Sequence, residues 1–166
     1  MQTDMTGKIA LVTGGAGGIG EFICERLALA GGTVLMLDVD SSKAEETLGR
    51  LGKRLGDTVQ RIQFVLGDLN DLKATDQLAQ ELLKRHDTID VLVNNACINP
   101  LGPLDEAGIE EFEQTQRINS HSGFVLARAI VPSMKKKGSG WIVNIASITF
   151  NGCLLYTSDA ADELCR

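Results

Sequence analysis

The stretch that decides the fold runs Lys8-Ile9-Ala10-Leu11-Val12-Thr13-Gly14-Gly15-Ala16-Gly17-Gly18-Ile19-Gly20. Residues 8–13 are almost all apolar, as expected of a strand that is buried on both faces of a sheet. From Ile19 to Ala30 the apolar residues recur at helical spacing, and Gly31-Gly32 supplies the stop signal that glycine gives after a helix. The segment therefore predicts a strand, a glycine-rich turn and a helix.

The same unit repeats along the chain, with buried-strand patterns alternating with helical patterns. Ser42 and Glu45 stand at capping-box spacing before a helix that runs through Leu55, and Asn70 can cap a helix that reaches about Arg85. Alternation of this kind predicts an α/β fold with a doubly wound parallel sheet, because right-handed crossovers join parallel neighbours. The other predicted strands are residues 33–38, 59–66, 89–93 and 141–146, and the last predicted helix is about 108–137.

Composition and charge argue against several classes of protein. The length of 166 residues fits one domain. A net charge of −6 would repel a nucleic-acid backbone, so we expect no nucleic-acid partner. No apolar run is long enough for a membrane span and no signal-peptide pattern is present, so we expect a cytoplasmic protein without a membrane partner. The four cysteines lack CxxC spacing and partnering histidines, so we expect reduced thiols and no metal site.

The glycine turn and the end of the second strand predict a dinucleotide site. A turn without side chains, placed between a buried strand and a helix, lets a pyrophosphate approach the amides of the helix N-terminus. Asp38 ends the second strand, where a carboxylate can accept hydrogen bonds from ribose hydroxyls and repel a 2′-phosphate. Since Gly15, Val39 and Asp40 offer no Arg or Lys, NAD is expected rather than NADP, although Asp38 could instead cap the following turn.

Five segments, in order along residues 8–147, resemble the motifs of the short-chain dehydrogenase/reductase family. They are Thr13–Gly20, Asp68-Leu69, Asn94-Asn95-Ala96-Cys97, Arg117-Ile118-Asn119-Ser120 and Trp141–Ser147. The resemblance implies a Rossmann-type, three-layer α/β/α fold that binds NAD(P). The cofactor-binding residues that it implies are Thr13, Gly14, Gly18, Ile19, Gly20, Asp38, Asp68, Leu69, Asn95 and Ala96. Taken alone, Asp68 could equally be an ordinary turn residue after Gly67.

One of these segments departs from the family pattern. Cys97 stands where the family usually has the glycine of NNAG. The replacement costs backbone freedom if the position needs a positive φ, or narrows the space beside the cofactor. We interpret Cys97 as a buried structural thiol rather than a nucleophile.

The resemblance also implies two catalytic residues. Ser147 would hydrogen-bond the substrate oxygen, and Asn119 would shape the active site and hold a proton-relay water. Considered singly, a serine after a strand is usually a turn residue, and Asn119 could be an exposed polar position. We interpret His121 as structural, because no second ligand accompanies it.

The family pattern ends after Ser147. The positions at which this family carries its catalytic tyrosine and lysine are Ala160 and Leu164 here, and Tyr156 stands at a different spacing from the serine. Residues 153–163 resemble translated sequencing-adapter sequence. We therefore expect residues 1–152 to be an incomplete NAD(P)-binding domain, truncated after about the fifth strand, and residues 153–166 to be a non-native tail.

The sequence thus predicts part of an oxidoreductase that moves a hydride between nicotinamide and an alcohol or ketone substrate. The parent protein is expected to be a homo-oligomer, either a dimer or a tetramer, as many relatives are. The 166-residue chain itself is expected to be inactive. Two alternatives stay open: a catalytically inactive nucleotide-binding or sensor protein, and a fragment without function.

Overall fold

The computed structural model describes residues 4–100 and 104–146 of the chain. Within these residues the strands are β1 (Ile9–Thr13), β2 (Thr33–Asp38), β3 (Ile62–Leu66), β4 (Val91–Asn94) and β5 (Trp141–Asn144). The helices are α1 (Gly18–Leu29), α2 (Ser41–Leu55), α3 (Leu72–His86), α4 (Ile109–Gln116) and α5 (Ser122–Lys137). Short 3₁₀ turns cover Gly56–Arg61 and Leu104–Glu106, and a π-helical turn covers Arg117–His121.

All pairings in the described sheet are parallel, and the strand order is β3-β2-β1-β4-β5. The chain therefore builds outward from β1 to β3 on one side and then crosses over to build β4 and β5 on the other. The reversal lies between β1 and β4. In doubly wound sheets a crevice opens at such a reversal, at the carboxyl ends of the strands. The predicted α/β fold is confirmed.

Alternation along each strand divides the core into two layers. Ala10 and Val12 of β1 pack with residues of α1 and α2 on one face of the sheet. Leu11, between them, packs with residues of α3 and α5 on the other face. Because successive side chains point to opposite faces, a strand that is apolar throughout needs helices on both sides. The predicted three-layer arrangement follows and is confirmed.

Two predicted helix caps are wrong, in each case because a nearby aspartate is the cap. Asp40, not Ser42, caps α2 and accepts a 2.9 Å hydrogen bond from an amide of its first turn. Asp71, not Asn70, caps α3 and accepts two such bonds of 3.0 and 2.9 Å. Aspartate is as good a cap as serine or asparagine, so spacing alone does not select the residue.

Two predicted elements have different bounds in the structure. The third strand begins at Ile62 rather than Val59, because the chain before it forms the 3₁₀ turn. The long predicted helix is divided by the π-helical turn around Asn119. It ends at Lys137, as predicted, and Gly138 caps it with a φ of 76°. Extra residues inserted into a helix in this way are frequent at functional sites.

A buried carboxylate joins α1 to α2. Glu21 is 6% exposed, and it accepts hydrogen bonds of 2.8 Å from Arg50 and 2.9 Å from Arg54. The hydrogen bond from Arg50 is the largest of the effects that hold the pKa of Glu21 below its ordinary value of 4.5. The ion pairs of Glu21 therefore stabilise the fold at pH values above the ordinary pKa of glutamate. This stabilisation is lost as the pH falls through the lowered pKa of Glu21.

We expect Glu21→Gln to lower the free energy of unfolding by about 1–2 kcal/mol at pH 7, because two charge-assisted hydrogen bonds are weakened. The difference from the unmutated chain should shrink at pH 3, where the glutamate is increasingly protonated. Urea unfolding of both proteins at pH 7 and pH 3 measures this difference in the free energy of unfolding. Glu45→Gln, which makes the same chemical change at an exposed position of α2, is the control. A difference that stayed constant with pH would contradict the role assigned to Glu21.

Candidate functional site

A groove of about 370 Å³ opens at the carboxyl ends of the central strands, beside the N-terminus of α1. It lies at the reversal of strand order, where the fold alone predicts a ligand crevice. Most of the predicted cofactor residues line it: Gly14, Gly18, Ile19, Asp38, Asp68, Leu69, Asn95 and Ala96. Residues from separate motifs along the chain therefore lie around one groove.

The glycines of the turn have two different roles. Gly14 has a left-handed φ of 62°, and a Cβ there would lie 2.8 Å from the Cα of Ala96. A Cβ at Gly20 would lie 2.0 Å from the carbonyl oxygen of Gly14. These two glycines allow the turn to pack against the end of β4. Gly18 instead has open space around it, so its bare backbone faces the groove.

The first turn of α1 has no side-chain cap. Gly17 is the N-cap residue, and no side chain accepts a hydrogen bond from the amides that follow it. The first amides of a helix lack partners within the helix, and the helix dipole makes this end partially positive. These amides border the groove at Gly18 and Ile19. The arrangement suits an anion such as a pyrophosphate.

Asp38 is held at the edge of the groove by backbone amides. Its Oδ2 accepts a 3.0 Å hydrogen bond from Ala16, and its Oδ1 accepts bonds of 2.9 Å from Val39 and 3.3 Å from Asp40. The carboxylate therefore does organise the following turn, which was the alternative interpretation from sequence. A carboxylate has about four acceptor positions, so one is left for a ligand hydroxyl.

A buried hydroxyl supports the same loop from beneath. Thr47 of α2 is fully buried, and its Oγ1 donates a 2.7 Å hydrogen bond to the carbonyl oxygen of Ala16. Arg50 donates a 2.7 Å hydrogen bond to that hydroxyl. Since Arg50 also binds Glu21, the ion pairs between α1 and α2 continue into the glycine turn. This support was not predicted from the sequence.

Thr13 and Gly20 are not among the residues that line the groove. The Thr13 hydroxyl accepts hydrogen bonds of 3.0 Å from the amides of Asn95 and Ala96. The Asn95 side chain returns two bonds, of 3.0 and 3.1 Å, to the carbonyl oxygens of Thr13 and Gly14. Together these bonds join the ends of β1 and β4.

A second cavity of about 1020 Å³ adjoins the groove and includes Asn119. The Asn119 side chain exchanges two hydrogen bonds with the backbone of Ile98, at 2.8 and 2.9 Å. Its amide is thus committed to holding the segment that follows β4. On the adjacent strands, Asn94 donates a 2.8 Å bond to Asn144, and the buried Oδ1 of Asn94 has no partner among the described residues.

The prediction of a buried thiol at Cys97 is wrong, because its side chain is exposed and lines both cavities. The segment after β4 forms the wall between the two cavities instead of continuing into the core. By contrast, Cys24 of α1 is buried, and burial raises the pKa of its thiol to about 12. A thiol with such a pKa stays protonated and unreactive at neutral pH.

Several sequence predictions fall on residues that the structure does not describe. Ser147, Ala160, Leu164 and the tail at residues 153–166 lie outside the described residues. Within residues 4–100 and 104–146, no group of three or more His, Cys, Asp or Glu side chains is placed to hold a metal ion. No helix in this part of the chain is both long and apolar enough to cross a membrane.

Some residues that line the groove were missed by the motifs. Ile98 directly follows the segment that ends at Cys97, and Ile118 lies within the segment Arg117–Ser120, so both could have been found. Val39 follows Asp38 directly and could also have been found. Gly17 lies within the predicted glycine turn, whereas Lys43 carried no signal by itself.

Known proteins match this chain in sequence and in structure. The model of the short chain dehydrogenase family matches residues 8–155. An uncharacterized oxidoreductase from Thermotoga maritima is 33% identical over 141 residues, which cover 85% of this chain and 54% of that protein. A metagenomic short-chain oxidoreductase in complex with NADP has a TM-score of 0.78 and 30% identity, covering 87% of this chain and 63% of that one. L-sorbose reductase from Gluconobacter frateurii, complexed with NADPH and L-sorbose, has a TM-score of 0.79 and 28% identity. The match covers 89% of this chain and 55% of that one.

The structural matches agree with the parallel α/β fold of the described residues. The matched region includes every described element from β1 to β5. The chain spans about half the length of the curated relatives it matches. The resemblance drawn from the five motifs is therefore confirmed, and the chain belongs to the short-chain dehydrogenase family.

Proposed function

We propose that this chain is the dinucleotide-binding part of an NAD(P)-dependent oxidoreductase. The reaction is hydride transfer between nicotinamide and an alcohol or carbonyl carbon of a small molecule. The observation that carries the proposal is the groove itself, in which the uncapped N-terminus of α1 and the Asp38 carboxylate face the same space. An anion site and a hydroxyl acceptor side by side suit a dinucleotide better than a simple anion.

The groove matches the parts of the cofactor in turn. The amides at Gly18 and Ile19 would hold the pyrophosphate, and Asp38 would accept a hydrogen bond from the adenosine ribose. Asp68 and Leu69, at the end of β3, would border the adenine. When bound, the nicotinamide would supply the hydride or accept it. Ala96 and the residues after it, which join the groove to the second cavity, would border that ring.

Two residues are proposed for substrate and proton handling. Ser147 would orient the substrate oxygen by a hydrogen bond from its hydroxyl. Asn119 would act as a positioning residue, since both ends of its amide bind Ile98 in the wall between the cavities. Its contribution would come through the shape of that wall and the place left there for a relay water.

The preferred cofactor is proposed to be NAD, with NADP bound more weakly. The Asp38 carboxylate supports NAD, because it accepts a hydrogen bond from a free ribose hydroxyl and repels a phosphate in that place. The two solved relatives hold NADP and NADPH, which supports a nicotinamide cofactor and counts against an exclusive preference for NAD.

The parent protein is proposed to be a homo-oligomer and to lie in the cytoplasm. Large apolar side chains are exposed on α4 and α5, including Ile109, Phe112 and Phe124. Exposed apolar patches of this kind mark association surfaces. A second copy of the chain is the proposed occupant, which would give the dimer or tetramer expected from the sequence.

We expect Asp38→Ala to weaken NADH binding roughly ten- to hundredfold, because one hydrogen bond to a charged group is lost. NADPH binding should strengthen, because the repulsive charge is gone. Fluorescence titration with both nucleotides measures the two affinities. Asp38→Asn is the matched control, since it keeps the side-chain shape and removes only the charge. Tighter binding of NADPH than of NADH by the unmutated chain would refute the role of Asp38.

We expect the 166-residue chain to show no dehydrogenase activity, because Ala160 and Leu164 cannot exchange a proton with a substrate alcohol. The presence of alanine and leucine at these two positions also favours the second candidate function, a nucleotide-binding protein without turnover. The rate of turnover is measured by following the absorbance of the reduced nicotinamide with a panel of alcohols and ketones. Turnover that Tyr156→Phe abolished would contradict both the expected inactivity and the non-native tail.

A further inference from the structure

Ala16 of the glycine turn is held by hydrogen bonds on both sides of its Cα. Its amide donates a 3.0 Å bond to Oδ2 of Asp38, and its carbonyl oxygen accepts a 2.7 Å bond from the hydroxyl of Thr47. Ala16 and Thr47 are both fully buried. Since a buried carbonyl needs a partner, the hydroxyl of Thr47 fixes the position of Ala16. That position determines in turn where the Ala16 amide meets the Asp38 carboxylate.

Arg50 orients the Thr47 hydroxyl. Its guanidinium donates hydrogen bonds of 2.7 Å to Thr47 and 2.8 Å to Glu21. A guanidinium can only donate, so the Thr47 oxygen must accept from it, and the single proton of the hydroxyl is left for Ala16. One continuous row of hydrogen bonds therefore runs from Glu21 on α1, through α2 and the glycine turn, to Asp38 at the end of β2.

We propose that Thr47 is a positioning residue for the ribose hydroxyl of the cofactor, because it holds Ala16 and thereby the Asp38 carboxylate. The inference rests on the proposed function, in which Asp38 accepts a hydrogen bond from the adenosine ribose. The amides of Val39 and Asp40, which also bind this carboxylate, directly follow it in the chain. The bond from Ala16 instead joins the carboxylate to the glycine turn. It fixes the distance between the ribose acceptor and the turn on which the pyrophosphate would lie.

Two adenine nucleotides that differ in one hydroxyl isolate this effect. ADP carries the 2′-hydroxyl that an acidic residue binds at this place in dinucleotide folds, and 2′-deoxy-ADP lacks it. Calorimetric titration of the 166-residue chain with each nucleotide gives the ratio of the two affinities. A general loss of stability, or of binding to the diphosphate, changes both affinities alike. The ratio therefore reports the hydrogen bond between the ribose and Asp38.

We expect the unmutated chain to bind ADP roughly tenfold more tightly than 2′-deoxy-ADP, and Thr47→Val to reduce this ratio to about two. Valine has the shape of threonine without its hydroxyl, so the buried carbonyl of Ala16 loses its partner and the turn shifts. Thr47→Ser keeps the hydroxyl and should retain most of the ratio.

A second threonine provides the matched control. Thr75 of α3 is also buried, and its hydroxyl donates a 2.8 Å hydrogen bond to the carbonyl oxygen of Asp71. Thr75 does not line the groove. Thr75→Val therefore makes the same chemical change in the core without touching the glycine turn, and it should leave the ratio unchanged.

Arg50 allows the same test at an exposed side chain, should Thr47→Val fail to fold. The Arg50 side chain is 48% exposed, so Arg50→Met removes the donor that orients the Thr47 hydroxyl without opening the core. We expect it to lower the ratio roughly twofold, as for one weakened hydrogen bond. Arg54→Met is its control, since the hydrogen bonds of Arg54 go to Glu21 and Glu25.

The outcomes separate the role of Thr47 from the proposed function. A tenfold ratio that stays unchanged in Thr47→Val, or in Arg50→Met if the valine variant does not fold, would refute only the role of Thr47. An equal fall of the ratio in the two control variants would also refute it, because any loosening of the helices would then suffice. Equal binding of both nucleotides by the unmutated chain would refute the role of Asp38 and, with it, that of Thr47. Binding of neither would refute the proposed groove.

Discussion

The close approach of the glycine turn to the end of β4 is the constraint on which the rest of the site depends. Gly14 lies so near Ala96 that no side chain fits between them, and a Cβ at Gly20 would meet the carbonyl of Gly14. Thr13 and Asn95 then join the two segments through backbone hydrogen bonds. Because of this packing, α1 starts directly above the sheet edge and its first amides border the crevice.

The sequence predicted those features that follow from local pattern. Apolar strands separated by helices require a sheet covered on both faces, and Leu11 between Ala10 and Val12 shows why, since its neighbours belong to the opposite layer. Asp38 was found because it ends the second strand, and Asn95 because its segment resembles a family motif. Caps were predicted less well, because several polar residues in a row satisfy the same geometric requirement.

Features that depend on contacts between distant segments were beyond the sequence. The burial of Thr47 and its bond to Ala16 arise only when α2 packs beside the glycine turn. Cys97 was expected in the core because cysteine is commonly buried, yet the wall between two cavities exposes it. Thr13 was assigned to the cofactor by its motif, whereas its hydroxyl is used within the sheet.

The shape of the groove and its charges come from different parts of the chain. Glycines determine how near a ligand can come to the backbone, and they specify no charge. The charge comes from side chains that neighbouring elements bring to the space left open, here Asp38 from β2 and Lys43 from α2. Asp38 is fixed by three amides, whereas the Lys43 ammonium ends a flexible chain. A fixed carboxylate sets a constant repulsion, and a flexible cation can adjust to the ligand. The charges that line the groove therefore belong to residues outside the glycine turn.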